Sequence, residues 1–455
     1  MVLVAFSAKA QVNLHINQTN IGQGAMHVDH QSVQYGSVLS VAPTINIGTS
    51  DTFFKIGTTT TTLNANLFRA IAVGSGGQQL NLSGVAPGSE AILSTTFTPI
   101  YSSLLGLLAS GLLNVRYSIP NPKLYAWKAG TYSNNLKFSL TGISLGSITP
   151  KATNINVTVD PFISVSPTQN IEITVDRLDY YRSLELKAKS QSFSVTSTLN
   201  TGIRTKSNTP LFTYSNGYQG GADPRAPATV VMAHMVEPQL KTGEFLTGTT
   251  FRTMTNTGGI VVPIGNTSNV SMSYSLSHDV LRNNFLKKGA YTLNLNHEVF
   301  DAEPSGNYAS QSLSSTLVVN VADMASVVVN QNDVNLVFKT AADYKNGVYI
   351  DMPAHLTLSA TSPYDVFVQT GSSSLKNGTN SIPVTALQVS VNSTDPLETT
   401  PLNLAATRQR MLSILPVIDK KVNIRYAITA AQAAKVLGKA SGTYTTTVTY
   451  TLVAP

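Results

Sequence analysis

The chain has 455 residues, 12% of them charged, and a formal net charge of +7 from 30 Lys and Arg against 23 Asp and Glu. That length exceeds one ordinary core and predicts about three domains, and the 42% hydrophobic content with so little charge excludes a disordered chain. The absence of cysteine excludes disulfides, thiolate metal sites and cysteine nucleophiles. The basic residues, with no run longer than Lys287-Lys288 or Lys420-Lys421, form no stripe for nucleic acid.

At the start, Val2 to Phe6 is apolar and Ala8-Lys9-Ala10 has the small-x-small form of a cleavage site. Residues 1–10 therefore read as the remnant of a signal peptide, and the chain as exported. In Gln11-Val-Asn-Leu-His-Ile-Asn17, the residues Val12, Leu14 and Ile16 alternate with polar ones, the period of a half-buried strand. Further on, the apolar run from Leu104 to Leu113 falls short of the roughly 18 residues a membrane span needs and reads as a buried segment.

A unit then recurs. Lys128-Ala-Gly-Thr-Tyr132 opens a strand with Tyr132, Leu136, Phe138 and Leu140 on one face. Lys288-Gly-Ala-Tyr291 opens a second, with Leu293, Leu295, His297 and Val299 following Tyr291 on its face, and Gly442-Thr-Tyr444 opens a third with Thr446, Val448, Tyr450 and Leu452. The tyrosines are 291 − 132 = 159 and 444 − 291 = 153 residues apart, which predicts tandem domains rather than a short solenoid repeat. An alternating run precedes each: Leu113 to Ile119, Val270 to Leu276, and Val422 to Ile428. Each run gives way to a segment that can turn helically, Pro120 to Trp127, Ser277 to Leu286 and Thr429 to Leu437, with Ser277 and Thr429 as expected N-caps. Gly130, Gly289 and Gly438 or Gly442 are expected to end these segments.

A further correspondence lays Ser183-Leu-Glu-Leu-Lys-Ala-Lys-Ser190 on His355-Leu-Thr-Leu-Ser-Ala-Thr-Ser362, with a weaker counterpart at Thr62 to Arg69. Alternating strands separated by Gly, Pro, Asn and Ser turns predict an all-β chain of three tandem antiparallel immunoglobulin-like sandwiches with short helical crossovers. The expected boundaries are 11–160, 161–322 and 323–455.

Tyr364-Asp-Val-Phe-Val-Gln-Thr-Gly, then Ser381-Ile-Pro-Val384, then the closing Gly442-Thr-Tyr-x-x-x-Val-x-Tyr-x-Leu452 together resemble the pilin-type and spore-coat-U-type β-sandwich domains of Gram-negative secreted proteins. The resemblance is clearest over 353–455 and reaches the earlier domains only through the tyrosine unit. It implies a fimbria, surface fibre or secreted coat on a Gram-negative cell, and brings no catalytic residues. It also implies a mode of assembly, since such sandwiches commonly lack one strand, which an N-terminal extension of another subunit fills. Asn154 to Val159 and Ser312 to Val321 follow the first two tyrosine strands, whereas only Leu452-Val-Ala-Pro455 closes the third. The third domain is then either completed by its opening half or one strand short. An open edge is a template for a strand of another chain, so Val12, Leu14 and Ile16 stand as a candidate donor strand for head-to-tail filaments. The other reading makes them an ordinary first strand of the first domain.

Sites for chemistry are sparse. His27 and His30, with Asp29 between them, could ligate a metal but have no third ligand of that kind nearby, and His297 falls on a core face, where a hydrogen-bonded histidine is expected. The pairs Asp301 with Glu303 and Asp176 with Asp179 read as turn acids, since glycosidase chemistry needs two carboxylates flanking a cleft. Gly74-Ser-Gly-Gly77 precedes no helix of a βαβ unit, and no Gly-x-Ser-x-Gly elbow occurs. Asn-x-Ser/Thr triplets begin at Asn17, Asn81, Asn156, Asn266, Asn269, Asn377 and Asn392. The aromatic candidates for ligand contact are Tyr125 with Trp127, the sole tryptophan, and Tyr214 with Tyr218 in the irregular stretch from Asn208 to Pro227. The sequence thus predicts a non-enzymatic surface protein without metal or cofactor, self-associating into a fibre or layer. The alternative is a surface adhesin that contacts glycan or host protein through loops of the first and second domains.

Overall fold

The computed structural model describes residues 11–36, 40–57, 61–73, 90–102, 111–144, 146–218, 223–303, 308, 310–392 and 400–455. The signal-peptide remnant at 1–10, most of the apolar run at 104–113, the glycine-rich stretch 74–77, the Asn81 triplet and positions 219–222 of the irregular stretch lie outside the described residues.

The first part of the chain gives six principal strands: β1 (Gln11–Ile16), β2 (Ala25–Gly36), β3 (Ser40–Thr49), β4 (Gly111–Pro120), β5 (Gly130–Ser144) and β6 (Ala152–Val159). One sheet runs β1–β6–β5–β3 and on to Thr98–Ser102, and the facing sheet runs from Ser147–Thr149 through β2, β4 and Arg69–Val73 to Ala91–Ile92. The second part repeats this with β7 (Ile171–Val175), β8 (Lys187–Ser197), β9 (Thr201–Ser207), β10 (Thr267–Leu276), β11 (Gly289–Asp301) and β12 (Gln311–Val321). Its sheets run β7–β12–β11–β9–Arg252–Thr253, and Ile163–Val165 through β8, β10 and Met232–Glu237 to Glu244–Phe245. The third part supplies β13 (Gly347–Ala360), β14 (Tyr364–Thr370), β15 (Val417–Thr429) and β16 (Val448–Val453). Its sheets run from Ala325–Val329 through β13, β15 and Gln388–Val391 to Leu402–Asn403, and from Gln409–Ile414 through β14 to β16. Apolar residues at every second position meet between facing sheets in three clusters, from Val12 to Val159, Ile163 to Val321 and Met352 to Tyr450.

The chain is thus all-β and built of stacked sandwiches, but not wholly antiparallel. β1 pairs parallel with β6, Val12 opposite Ile155 and Ile16 opposite Val159, and β7 pairs parallel with β12. The reason is topological. β6 and β12 run antiparallel to the tyrosine strands β5 and β11, with Tyr132 opposite Val157 and Tyr291 opposite Val319, and the opening strand attaches to their far edge.

The tyrosine unit has one geometry in all three repeats. Tyr132 Oη donates to Lys128 O at 2.7 Å, Tyr291 Oη to Lys287 O at 2.9 Å, and Tyr444 Oη to Ala440 O at 2.9 Å. Gly130, Gly289 and Gly442 hold φ of +143°, +142° and +141°, a region that side chains with a Cβ rarely enter. Space reinforces the requirement: a Cβ at Gly289 would lie 2.7 Å from Tyr214 Cε2, and one at Gly130 would lie 2.5 Å from Ile56 Cδ1. The crossovers are a short 3-10 turn at Pro122–Leu124 and helices at His278–Asn284 and Ala430–Ala433. Ser277 caps the second, its Oγ accepting from Val280 N–H at 3.3 Å, whereas the Thr429 side chain makes no cap hydrogen bond.

The expected match of 183–190 with 355–362 is wrong by nine positions. Leu184 and Leu186 lie before β8 and are 86% and 49% exposed, whereas Leu356 and Leu358 are fully buried in β13. The residues that play their part are Phe193 and Val195, so Phe193-Ser-Val-Thr-Ser-Thr198 corresponds to Leu356-Thr-Leu-Ser-Ala-Thr361. Thr62 to Arg69 is no counterpart either: Thr62–Asn64 pairs with Phe53–Lys55 beside β5, while β2 holds the position of β8 and β13.

Candidate functional site: an open edge in the third sandwich

In the first two sandwiches the tyrosine strand has neighbours on both sides, β3 and β6 for β5, and β9 and β12 for β11. Its inward side chains are accordingly sealed: Tyr132, Leu136, Tyr291, Leu293 and Leu295 are fully buried. In the third sandwich one edge is occupied. β14 pairs with β16, Gly371 N–H donates to Thr447 O at 2.9 Å, and Lys376 and Thr445 exchange backbone hydrogen bonds of 2.9 and 3.0 Å. Among the described residues no strand pairs with the other edge. The side chains there are only half-covered. Tyr444, Thr446, Val448 and Leu452 retain partial exposure, and of this face only Tyr450 is buried. Thr446 Oγ1 is shielded from solvent and finds no hydrogen-bond partner among the described residues.

The opening strand is unpaired in the same way. Residues 331–339 occupy the place in the chain of β1 and β7 but form no ladder among the described residues. Val334, Leu336 and Phe338 alternate with exposed residues and pack, half-buried, against the third core, as Val12, Leu14 and Ile16 and then Ile171, Ile173 and Val175 do in the first two. A hydrogen-bonded chain runs beneath these two edges. Tyr450 Oη meets Tyr426 Oη at 2.6 Å, Tyr426 Oη meets His355 Nε2 at 3.1 Å, and His355 Nδ1 meets Gln331 Oε1 at 3.0 Å. Burial pushes the Tyr426 hydroxyl up to about 12 and the Tyr450 hydroxyl well above its ordinary value, and it holds His355 below its own. All three groups are neutral at pH 7, as a network shielded from water requires. It ties β16 to the start of the 331–339 segment, so both edges are positioned by the core. The sequence did not single out Val334, Leu336 and Phe338, although their alternation and their place after the second repeat were readable.

The residues nominated from sequence lie elsewhere. Val12, Leu14 and Ile16 are buried in the first core through β1, which pairs with β6 of the same chain. Trp127 is fully buried where the first sandwich meets the second. Its indole N–H donates to Pro122 O at 2.8 Å, and Asn266 grips its backbone, accepting from Trp127 N–H at 3.1 Å and donating to Trp127 O at 2.7 Å. Tyr125 is half-buried edge-on to that indole, at 5.7 Å between ring centroids. Tyr214 donates its hydroxyl to Lys288 O at 2.5 Å and packs 5.0 Å from the Tyr291 ring, and Tyr218 lies half-buried under Lys287 Nζ. The four aromatics therefore form two separate groups, at the two junctions between sandwiches.

The remaining candidates are engaged with neighbours. Asp29 accepts two hydrogen bonds from Arg116, at 2.7 and 2.8 Å, which hold its carboxyl below the usual range. Glu303 pairs with Lys128 at 2.6 Å. His297 is fully buried among Gln191, Thr205 and Ser315, and burial pushes it down to about 4. Among the described residues no three His, Asp or Glu side chains are grouped to hold a metal ion, and no helix is long and apolar enough to cross a membrane.

No protein-family model and no curated protein matches the chain. Solved structures of pilus tip adhesins do. A chain of the CsuC–CsuE chaperone–tip adhesion subunit complex of Acinetobacter baumannii matches 64% of this chain and 99% of its own, at 15% identity and a TM-score of 0.31. The CupB6 tip adhesin of Pseudomonas aeruginosa covers 66% of this chain and 91% of its own, at 10% identity and a TM-score of 0.29. CfaE, the adhesive subunit of the CFA/I fimbria of enterotoxigenic Escherichia coli, covers 69% and 99%, at 9% identity and a TM-score of 0.28.

Proposed function

We propose that this chain is a non-enzymatic component of an extracellular fibre, and that its third sandwich accepts a β-strand from another chain between β16 and residues 331–339. The observation that carries the reading is the pair of half-buried edges that pair with no strand among the described residues, each of which has a partnered counterpart in the first two sandwiches. Those counterparts also state what fits. A strand antiparallel to β16 and parallel to 331–339 would place an apolar residue at every second position, as Ile155, Val157 and Val159 or Leu317, Val319 and Val321 do.

The same geometry argues against donation by β1. Withdrawing Val12, Leu14 and Ile16 from the first core would cost about 1.5–3 kcal/mol per side chain, a total comparable to the whole stability of a typical domain. In this reading β1 serves its own sandwich. The fibre role is favoured over an adhesin built on the four aromatics, because Trp127 is buried at the first junction under Asn266 and Tyr214 is packed on Tyr291 with its hydroxyl on Lys288 O.

The test uses full-length chain and two synthetic peptides with the sequences of β6 and β12. Binding of either should slow amide exchange at 444–452 and 333–338 and leave the first two sandwiches unchanged. Variants of the peptides with Ser at the three apolar positions should have no effect. Exchange at these positions that is the same with and without both peptides would refute the reading.

A further inference from the structure

Where the first sandwich meets the second, three side chains of complementary chemistry converge. Lys128 stands just before β5, Asn200 lies between β8 and β9, and Glu303 follows β11. Glu303 Oε1 takes Lys128 Nζ at 2.6 Å and accepts from Asn200 Nδ2 at 3.0 Å. Both nitrogens sit on one oxygen, so they are at most 2.6 + 3.0 = 5.6 Å apart. The Asn200 amide is also held at its other end, its Oδ1 accepting from Val262 N–H at 3.2 Å. Those two contacts fix the orientation of the amide, since the reverse would set its oxygen against a carboxylate.

The main chain pins the group from several sides. Tyr132 Oη donates to Lys128 O at 2.7 Å, Ala129 N–H donates to Thr198 O at 2.8 Å, and Ala302 N–H donates to Asn200 O at 2.8 Å. Each of the three side chains therefore hangs from backbone that is hydrogen-bonded at the residue itself or at its neighbour. The Lys128 and Glu303 side chains are each 33% exposed, and Asn200 is half-buried. The cluster is thus covered enough to stay in place and open enough to release a small molecule.

A primary amine, a primary amide and a carboxylate that touches both are the set that transamidation needs. The amine is a nucleophile once it gives up a proton. The carboxylate can carry protons from one nitrogen to the other. A backbone N–H on the amide oxygen stabilises the charge that develops there, and the pinned backbone makes the encounter intramolecular. We propose that Lys128 and Asn200 join in an isopeptide bond that ties the first sandwich covalently to the second, with Glu303 as the proton carrier. The Lys128 Nζ–Asn200 Cγ bond forms and the Asn200 Cγ–Nδ2 bond breaks. Two protons pass from Nζ to Nδ2 by way of Glu303, and the nitrogen leaves as ammonium. The chain gives up one positive charge to that ammonium, and the step needs no oxidant or co-reactant.

The bond is independent of the strand-acceptor reading, because it lies at the other end of the chain of sandwiches. The second junction is an internal control. There Lys288 N–H donates to Thr361 O at 2.8 Å, as Ala129 N–H does to Thr198 O. Two residues beyond Thr198 stands Asn200, whereas two residues beyond Thr361 stands Pro363, which offers no amide.

The test is mass spectrometry of full-length chain, incubated near neutral pH until its mass is constant, then denatured and digested with trypsin. The intact mass should be lower than that of the sequence by one ammonia. The digest should contain a branched fragment joining residues 124–137 to residues 190–204, uncut after Lys128. Lys128→Arg and Glu303→Gln should each keep the full mass and yield the two stretches separately, with native Trp127 emission showing that the variant has folded. The wild-type digest decides the matter even where a variant does not fold. Complete cleavage after Lys128, with 129–137 and 190–204 recovered apart, would overturn the proposal. Loss of ammonia without the branched fragment would place the loss at another residue and overturn it equally. A branched fragment that forms undiminished in Glu303→Gln would overturn Glu303 as the proton carrier.

Discussion

Asn266 is the most exacting test of how the sandwiches are held together. Its side chain is fully buried and accepts one hydrogen bond, from Trp127 N–H at 3.1 Å, while donating two, to Trp127 O at 2.7 Å and Ser197 O at 2.8 Å. Asn266→Ala leaves these three groups without partners, at about 1–3 kcal/mol for each that water cannot reach. It also places Ala at φ +59°, which adds about 1 kcal/mol. Taking the low end for each of the three groups and adding the strain, the expected loss is roughly 4 kcal/mol, at the upper end for a point substitution. Asn266→Gly removes the same hydrogen bonds without the backbone strain, so it should lose about 1 kcal/mol less than Ala. The assay is built into the chain, because Trp127 is its only tryptophan and lies at this junction. Its emission should shift to the red at lower urea in both variants, while amide exchange in the third sandwich stays as before. A loss below about 1 kcal/mol, or an unchanged tryptophan transition, would refute the reading of Asn266 as the clasp between first and second sandwiches.

Other outcomes follow from the same structure. His297 is held neutral by burial down to about 4, below the ordinary ~6.5 of an unfolded chain, so the unfolded state binds the extra proton between those values. Stability of the second sandwich should therefore be full above about pH 6.5 and fall by roughly 3 kcal/mol as the pH drops to about 4; His297→Gln should flatten that slope, and an unchanged slope in urea titrations at pH 7 and 4.5 would contradict it. Gly289→Ala should cost about 2–4 kcal/mol, through its φ of +142° and the collisions with the Tyr214 ring and the Ser215 backbone oxygen, and Tyr214→Ala should recover only the part due to the ring. Tyr132→Phe and Tyr291→Phe should each cost about 1 kcal/mol for the lost hydrogen bond to Lys128 O or Lys287 O. Tyr444→Phe, half-exposed beside an open edge, should cost less until a strand peptide is bound, and equal losses at all three tyrosines would count against the open edge.

The tyrosine strands were legible in the sequence because their information is local. A glycine that must take positive φ, a tyrosine whose hydroxyl reaches four residues back, and alternation at period two all lie within about ten residues. The register between β8 and β13 was not local. Leu184 and Leu186 alternate as well as Phe193 and Val195 do, and only the pairing of β8 with β10 shows which pair faces the core. Trp127 was equally ambiguous, since an aromatic in a crossover suits a ligand platform or a cover. What decides is Asn266, 139 residues further on and inconspicuous in an Asn-rich sequence.

The open edge shows the same limit most sharply. Val448 and Leu452 read in sequence like Leu136 and Phe138, or like Leu293 and Leu295. Whether such residues are sealed depends on the strand alongside, which is a property of the pairing and not of the residues. The unpaired opening segment adds what the C-terminal strand alone does not supply. Val334, Leu336 and Phe338 keep the alternation of β1 and β7 without a ladder partner among the described residues, so two separate stretches of the third sandwich bear the pattern of neighbours to one additional strand. The Tyr450–Tyr426–His355–Gln331 hydrogen bonds hold those two stretches to a common core. An edge left open by a simple loss of packing would have no reason to be braced on both sides, and that bracing is what favours a receptive site over a defect.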